Sequence, residues 1–296
     1  MNMREKTEAF FLLMNTVPVF NFETAKNILQ QCQNADNFWK LKMEDIEHLY
    51  LTCEDKEKLR VKLNKTNLDG LVKKIKDTNC RVSLYSDPDF PVSLRKLKKP
   101  YMIIFYRGNL EALKNKHLIS IVGTRKASLY GEKLVKNLVE DLSGDQCTVI
   151  TGTAKGIDSY VIKYCLEYGV KCVSILASGI NKISPTSSKS LLDQLTKNGG
   201  CYMTEFPFDV GAYRSNFPIR AKIIAALSEE IIIVEAPRTS GALHVAREAF
   251  SMSKNIFTFP SYFHDSNFYG SHDLIANGLA ILVENYSNIQ DYRQLY

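Results

Sequence analysis

The sequence predicts an α/β protein: an extended, doubly wound, mainly parallel sheet with a small helical domain ahead of it. Three observations predict this. From residue 117 onward, short apolar runs alternate with segments of helical length. Those runs are apolar on both alternate positions, as strands are when helices cover both faces of a sheet. Before residue 81, apolar residues recur at helical spacing instead.

The helical domain is expected over residues 1–80. Phe10, Phe11, Leu13 and Met14 open one helical stripe, and Ala25, Ile28 and Leu29 continue in another. Residues 54–76 are rich in Lys and Glu at three- and four-residue spacing, which reads as a solvated helix face. A connector and edge strand follow over residues 81–116. Pro88 and Pro91 break helix there, and Tyr101, Ile103, Ile104 and Phe105 read as a strand closed by Gly108-Asn109. Over residues 117–296 the predicted strands are 118–122, 148–151, 172–176, 201–204, 230–235 and 255–259. Segments such as 130–142, 157–168 and 240–251 are the helices between them. Right-handed crossovers turn that alternation into a Rossmann-like sheet.

Composition bounds the function. The chain carries 38 Lys and Arg against 32 Asp and Glu. Residues 1–116 hold 21 and 15 of these, and residues 117–296 hold 17 of each. Any nucleic-acid site in the second region must therefore gather its cations locally. No apolar run approaches the roughly 20 residues of a membrane span, and no signal peptide is predicted. The seven cysteines are scattered without a Cys-x-x-Cys pair, which predicts reduced thiols in a cytoplasmic protein. The five histidines show no metal spacing, so no metal, cofactor or catalytic residue is expected.

Ligands of doubly wound sheets bind beyond the carboxyl ends of the strands. After the first strand comes Gly123-Thr124-Arg125-Lys126-Ala127-Ser128, a sharp turn with two cations before a helix. After the second comes Thr151-Gly152-Thr153-Ala154-Lys155-Gly156-Ile157-Asp158. Its glycines permit close backbone approach to an anion, and Asp158 is expected to cap the helix or hold Lys155. After the fourth, Glu205-Phe206-Pro207 precedes Asn216-Phe217-Pro218-Ile219-Arg220-Ala221-Lys222. Pro218 suits a first helical turn. Arg220 and Lys222 offer cations to phosphates, and Asn216 and Phe217 an amide and a ring to bases. After the fifth, Ser240-Gly241 opens a helix with free N–H groups, and Glu235 ends the strand as a helix cap or ribose contact. None of these loops is a Gly-x-Gly-x-x-Gly or Walker motif.

Taken together these loops resemble the DNA processing protein A (Smf) family over about residues 85 to 283. The order runs Asp87 to Pro91 with Arg107-Gly108, then Val122-Gly123-Thr124-Arg125, Gly152-x-Ala154-x-Gly156-Ile157-Asp158, Glu205-Phe206-Pro207, Phe217-Pro218-x-Arg220, Val234-Glu235-Ala236, Ser240-Gly241-Ala242-Leu243 and Gly270 with Leu274-Ile275. The resemblance implies an extended Rossmann-like fold and single-stranded DNA held in a basic pocket. It also implies a homodimer that protects incoming strands and delivers them to a RecA-type recombinase in natural transformation. Where the family usually shows Arg-Arg-Asn-Arg in the Phe-Pro helix, this chain has Ile219, Arg220, Ala221 and Lys222. In the helical region Val17-Pro18-Val19-Phe20 resembles a Pro-Gly hairpin without its glycines.

The expected DNA contacts are Gly123, Thr124, Arg125, Lys126, Gly152, Lys155, Gly156, Asn216, Phe217, Arg220, Lys222, Ser240 and Gly241. Two other readings remain open. One is a sensor or processing enzyme for a small nucleotide, with Glu205 or Glu235 as acid or base. The other is an interaction scaffold that has lost strong DNA binding.

Overall fold

The computed structural model describes residues 1–17, 20–115, 117–262 and 264–295. Pro18 and Val19, and with them the hairpin-like segment, lie outside the described residues. The chain divides into two compact units, Met1–Tyr106 with Glu205–Asp209, and Arg107–Thr204 with Val210–Tyr296.

The first unit holds α1 (Met3–Asn15), α2 (Phe22–Gln31), α3 (Ala35–Trp39), α4 (Cys53–Asn64), α5 (Leu68–Asp77) and the short α6 (Val92–Arg95). Asparagines cap four of them. Asn2, Asn21, Asn34 and Asn67 each accept a backbone N–H from the following first turn, satisfying donors the helix leaves open. The 54–76 stripe is thus two helices, with Asn67 as the cap that restarts the second. Phe10 and Phe38 meet edge to face at 4.8 Å in the core. Strand β1 (Arg81–Leu84) pairs antiparallel with β2 (Ile103–Gly108). The segment 205–209 packs within this unit, with Phe208 on Phe105 at 4.7 Å and Asn15 donating to the Glu205 carbonyl at 2.7 Å.

The second unit is the sheet the sequence predicts. Its strands are β3 (His117–Val122), β4 (Cys147–Thr151), β5 (Lys171–Ile175), β6 (Cys201–Thr204), β7 (Glu230–Ile233), β8 (Asn255–Thr258) and β9 (Ile281–Leu282). They lie in the order β6-β5-β4-β3-β7-β8-β9, all parallel. Ile119, Ile121, Val149, Ile150, Val173, Ile231 and Ile232 are almost wholly buried, because helices cover both faces.

Those helices are α7 (Leu129–Leu142), α8 (Ile157–Tyr168), α9 (Lys189–Lys197), α10 (Asn216–Leu227), α11 (Ala242–Ser251), α12 (Tyr269–Ala276) and α13 (Tyr286–Leu295). From β3 the chain winds through β4 and β5 to β6, then returns by α10 to β7 on the other side of β3. Right-handed crossovers in opposite directions put α7 and α8 on one face and α11 on the other. The reversal makes β3 and β7 the switch point, where such sheets leave a crevice beyond the strand ends. Several ties hold α13 to the unit: Arg293 forks onto Glu230, and the Tyr286 hydroxyl and the Gln290 amide donate to Asp145 at 2.7 and 3.3 Å.

Candidate nucleic-acid interface

The loops after β3, β4 and β7 lie side by side at the switch point and are fastened to one another by backbone. Thr124 N–H donates to the Glu235 carbonyl at 2.7 Å, and Ile157 N–H donates to the Thr124 carbonyl at 3.1 Å. Gly156 makes the second contact possible. Its φ is +75°, and a Cβ there would strike the Thr124 carbonyl, so only glycine fits. Gly123 is needed for a similar reason, since a Cβ would meet the Ile157 side chain and come within 3.0 Å of the Glu235 carbonyl. Both glycines serve the joining of loops in this structure.

A buried ion pair forms the floor. Asp158, 2% exposed in the first turn of α8, accepts the N–H of Ala154 at 3.1 Å. Its Oδ2 lies 3.9 Å from Nη1 of Arg220, itself 8% exposed. Gly152 leaves the room: a Cβ there would strike the Asp158 carboxylate and lie 2.8 Å from Arg220 Nη1. Burial pushes the Asp158 carboxyl up, opposed by Arg220, and pushes the Arg220 guanidinium down, opposed by Asp158. Arg220 Nε has no hydrogen-bond partner among the described residues. The expectation that Asp158 holds Lys155 is therefore corrected. The carboxylate turns inward to Arg220, and Lys155 stands exposed on the same loop.

Above the floor, Arg125 and Arg220 converge on one ring. Their guanidinium carbons lie 4.7 Å and 5.4 Å from the centre of Phe217. The ring is half-buried and Arg125 is exposed. Two cations thus meet on one aromatic, Arg220 balanced by Asp158 beneath and Arg125 exposed above, which leaves Arg125 placed to meet an anion.

The other expected residues divide. Thr124 is buried, its Oγ1 accepting the Lys126 N–H at 3.2 Å, and the Lys126 side chain is exposed. Lys222 is half-buried on α10, two residues beyond Arg220. Ser240 and Gly241 begin α11, with Ser240 Oγ accepting the Ala242 N–H at 3.3 Å. A Cβ at Gly241 would meet nothing within 4 Å, so packing does not demand that glycine. Asn216 is a correction. It is 6% exposed, and its amide donates to the Ala177 and Gly211 carbonyls at 2.9 and 3.0 Å. Its role here is to anchor the start of α10, with both donors used, and a base contact is not open to it.

Glu235 is fully buried. It accepts the N–H of Ser128 at 3.1 Å and its hydroxyl at 3.2 Å, beneath the start of α7. A Cβ on Gly131 would strike its carboxylate. Burial pushes this carboxyl up, against the pull of Ser128, with Asp265 adding to the rise. Of the helix-cap, ribose-contact and acid-or-base roles read from the sequence, the geometry is that of the helix cap.

The sequence model of the family described as DNA recombination-mediator protein A matches residues 81–294 of this chain. Protein Smf of Synechocystis sp. is 26% identical over 290 residues, spanning 95% of this chain and 71% of that protein. Among solved structures, DNA processing protein A from Streptococcus pneumoniae superposes with a TM-score of 0.80 at 24% identity, covering 97% of each chain. DNA processing protein A from Helicobacter pylori, whose single-stranded DNA binding mode that structure describes, superposes with a TM-score of 0.65 at 22% identity. It covers 73% of this chain and 97% of that one. The extended Rossmann-like fold read from the sequence is the fold they share.

Proposed function

The chain belongs to the DNA recombination-mediator protein A family of DNA-processing proteins, and from that premise we propose that it binds single-stranded DNA across the β3–β4–β7 rim without chemistry on the strand. The convergence of Arg125 and Arg220 on Phe217 carries this reading. Arg125 stands exposed at that rim over the buried Arg220, with Lys126 and Lys155 exposed on the flanking loops. Phosphates of the backbone pair with Arg125, Lys126 and Lys155, and Arg220 supplies a desolvated positive charge from beneath. Lys222 on α10, together with the Gly241 N–H ahead of α11, extends the positive path, while the Ser240 N–H is held by the Pro237 carbonyl at 2.8 Å. The single-stranded DNA bound by the Helicobacter pylori relative supports the choice of ligand.

Family membership also supports the finer reading: a cytoplasmic homodimer that protects incoming strands and hands them to a RecA-type recombinase during natural transformation.

The test is an oligonucleotide gel shift, single-stranded against duplex, at two salt concentrations. Wild-type protein should favour the single strand and lose affinity steeply with salt, by about 0.7 of a log unit per log unit of salt for each phosphate held. The double variant Arg125→Ala, Lys155→Ala should bind about tenfold or more weakly with a shallower slope. An unchanged titration would refute the proposal, and tight calorimetric binding of mononucleotides alone would favour a nucleotide sensor.

A further inference from the structure

Three large apolar side chains stand exposed beside the cationic loop. Leu129 is 86% exposed, Tyr130 42% and Tyr262 88%. Leu129 and Tyr130 form the first turn of α7, directly after the loop that carries Arg125 and Lys126. Tyr262 lies in the segment that follows β8, so all three share the carboxyl edge of the parallel sheet with the cations. Tyr130 is fixed in place. Its hydroxyl donates to the Pro260 carbonyl at 3.0 Å, and its ring lies 5.9 Å from that of Phe268. Tyr262 follows two residues after Pro260, whose carbonyl holds the Tyr130 hydroxyl.

Scattered exposed apolar residues are ordinary, but a cluster set against a charged site is not. Phe217, the ring expected to meet bases, already has two guanidinium groups over it. A strand whose phosphates rest on Arg125 and Lys126 therefore needs other faces for its bases. We propose that Leu129, Tyr130 and Tyr262 form a stacking surface for the unpaired bases of that strand. The inference rests on the single-strand reading above and extends it from phosphates to bases. It also supplies selectivity, because a duplex hides the base faces that such a surface would touch.

The test uses the full chain carrying Tyr262→Trp. Its other tryptophan, Trp39, lies in the first unit, donating to the Lys6 carbonyl at 3.0 Å, and gives a constant background. Titration with a single-stranded oligonucleotide should quench the new emission, and an abasic strand of equal length should leave it unchanged. Separately, Leu129→Ala with Tyr262→Ala should weaken single-strand binding by about fivefold or more, the span of one lost stacked base. The salt slope should stay as in wild type, because no phosphate contact is removed. Both substitutions are at exposed positions, so circular dichroism should be unaltered. If the strand binds with full dependence on Arg125 while the emission stays constant, the surface lies off its path and the inference is overturned. If emission instead changes with protein concentration in the absence of DNA, the cluster is a self-contact and the inference is equally overturned. If no variant, nor the wild type, binds the strand at low salt, the underlying single-strand reading has failed.

Discussion

Arg220 Nη1 sits 3.9 Å from Asp158 Oδ2, both side chains nearly sealed from water, in a space that exists because residue 152 has no side chain. The pair is too distant for a hydrogen bond, and it is the link between α8 and α10 beneath the cationic ring. Its energetics set the first two predictions.

Gly152→Ala should displace the Arg220 guanidinium. The added methyl collides with the Asp158 carboxylate and comes within 2.8 Å of Arg220 Nη1. Overpacking of this kind costs about 1–3 kcal/mol, and urea unfolding should show that loss. Single-strand affinity should fall with it, since Arg220 would leave the Phe217 ring. A variant as stable and as tightly binding as wild type would mean that the floor is slack.

Asp158→Ala should be worse, by about 3–5 kcal/mol, because it leaves a buried guanidinium without its carboxylate. The double variant Asp158→Ala, Arg220→Met should recover part of that loss, since no unpaired charge remains. A double-variant cost equal to the sum of the Asp158→Ala and Arg220→Met costs, measured as a thermodynamic cycle, would show that the two side chains do not interact.

Glu235 gives a pH dependence with a definite sign. Burial raises its carboxyl above the ordinary value of 4.5, so the folded protein holds this proton more tightly than the unfolded chain. Between 4.5 and the raised folded value, the folded state binds more protons, and stability falls as pH rises through that window. Below the window the contribution is absent, and above it the loss is complete and constant. Glu235→Gln keeps an acceptor for Ser128 and removes the titration. Its unfolding free energy should therefore lack this descending segment. Superimposable pH profiles for the two proteins would contradict the assignment.

Lys254 fastens the far end of α10. Its ammonium donates to the carbonyls of Ala225 at 2.7 Å, Ala226 at 3.0 Å and Ser228, the acceptors a helix leaves unpaired at its C-terminus. Lys254→Met should cost about 1–3 kcal/mol, as loss of charged hydrogen bonds does. The salt slope of DNA binding should not move, because the lysine does not face the rim. A changed slope would place Lys254 among the phosphate contacts.

How much of this was legible depends on the range of each signal. Strands β3 to β8 announce themselves locally, because a parallel strand covered on both faces must be a short unbroken apolar run. Strand β9, only Ile281–Leu282, is too short to carry a pattern, and β1 (Arg81–Leu84) buries only its final half. The divided helix at 65–67 was hidden by charges that continue across the break. The rim loops could be found because glycine marks them, but the reason for each glycine lies elsewhere in the chain. Gly156 answers to the Thr124 carbonyl, Gly123 to the Ile157 side chain and the Glu235 carbonyl, and Gly152 to the Asp158 and Arg220 side chains. No local spacing pairs Asp158 with Arg220. Asn216 shows the same limit from the other side: an amide at a helix start can turn outward or inward, and only the Ala177 and Gly211 carbonyls decide it.

Ser128 and Glu235, whose contact braces the start of α7, stand 107 positions apart in the chain. During synthesis the ribosome therefore delivers β3, β4, β5 and β6 well before the acid that seats the first crossover helix. A nascent chain halted before β7 would display Arg125 on an unfinished shelf, with β4 on one side of β3 and the place of β7 still empty. Contacts this remote form slowly, so the groove should be completed late in folding, once Glu235 reaches Ser128.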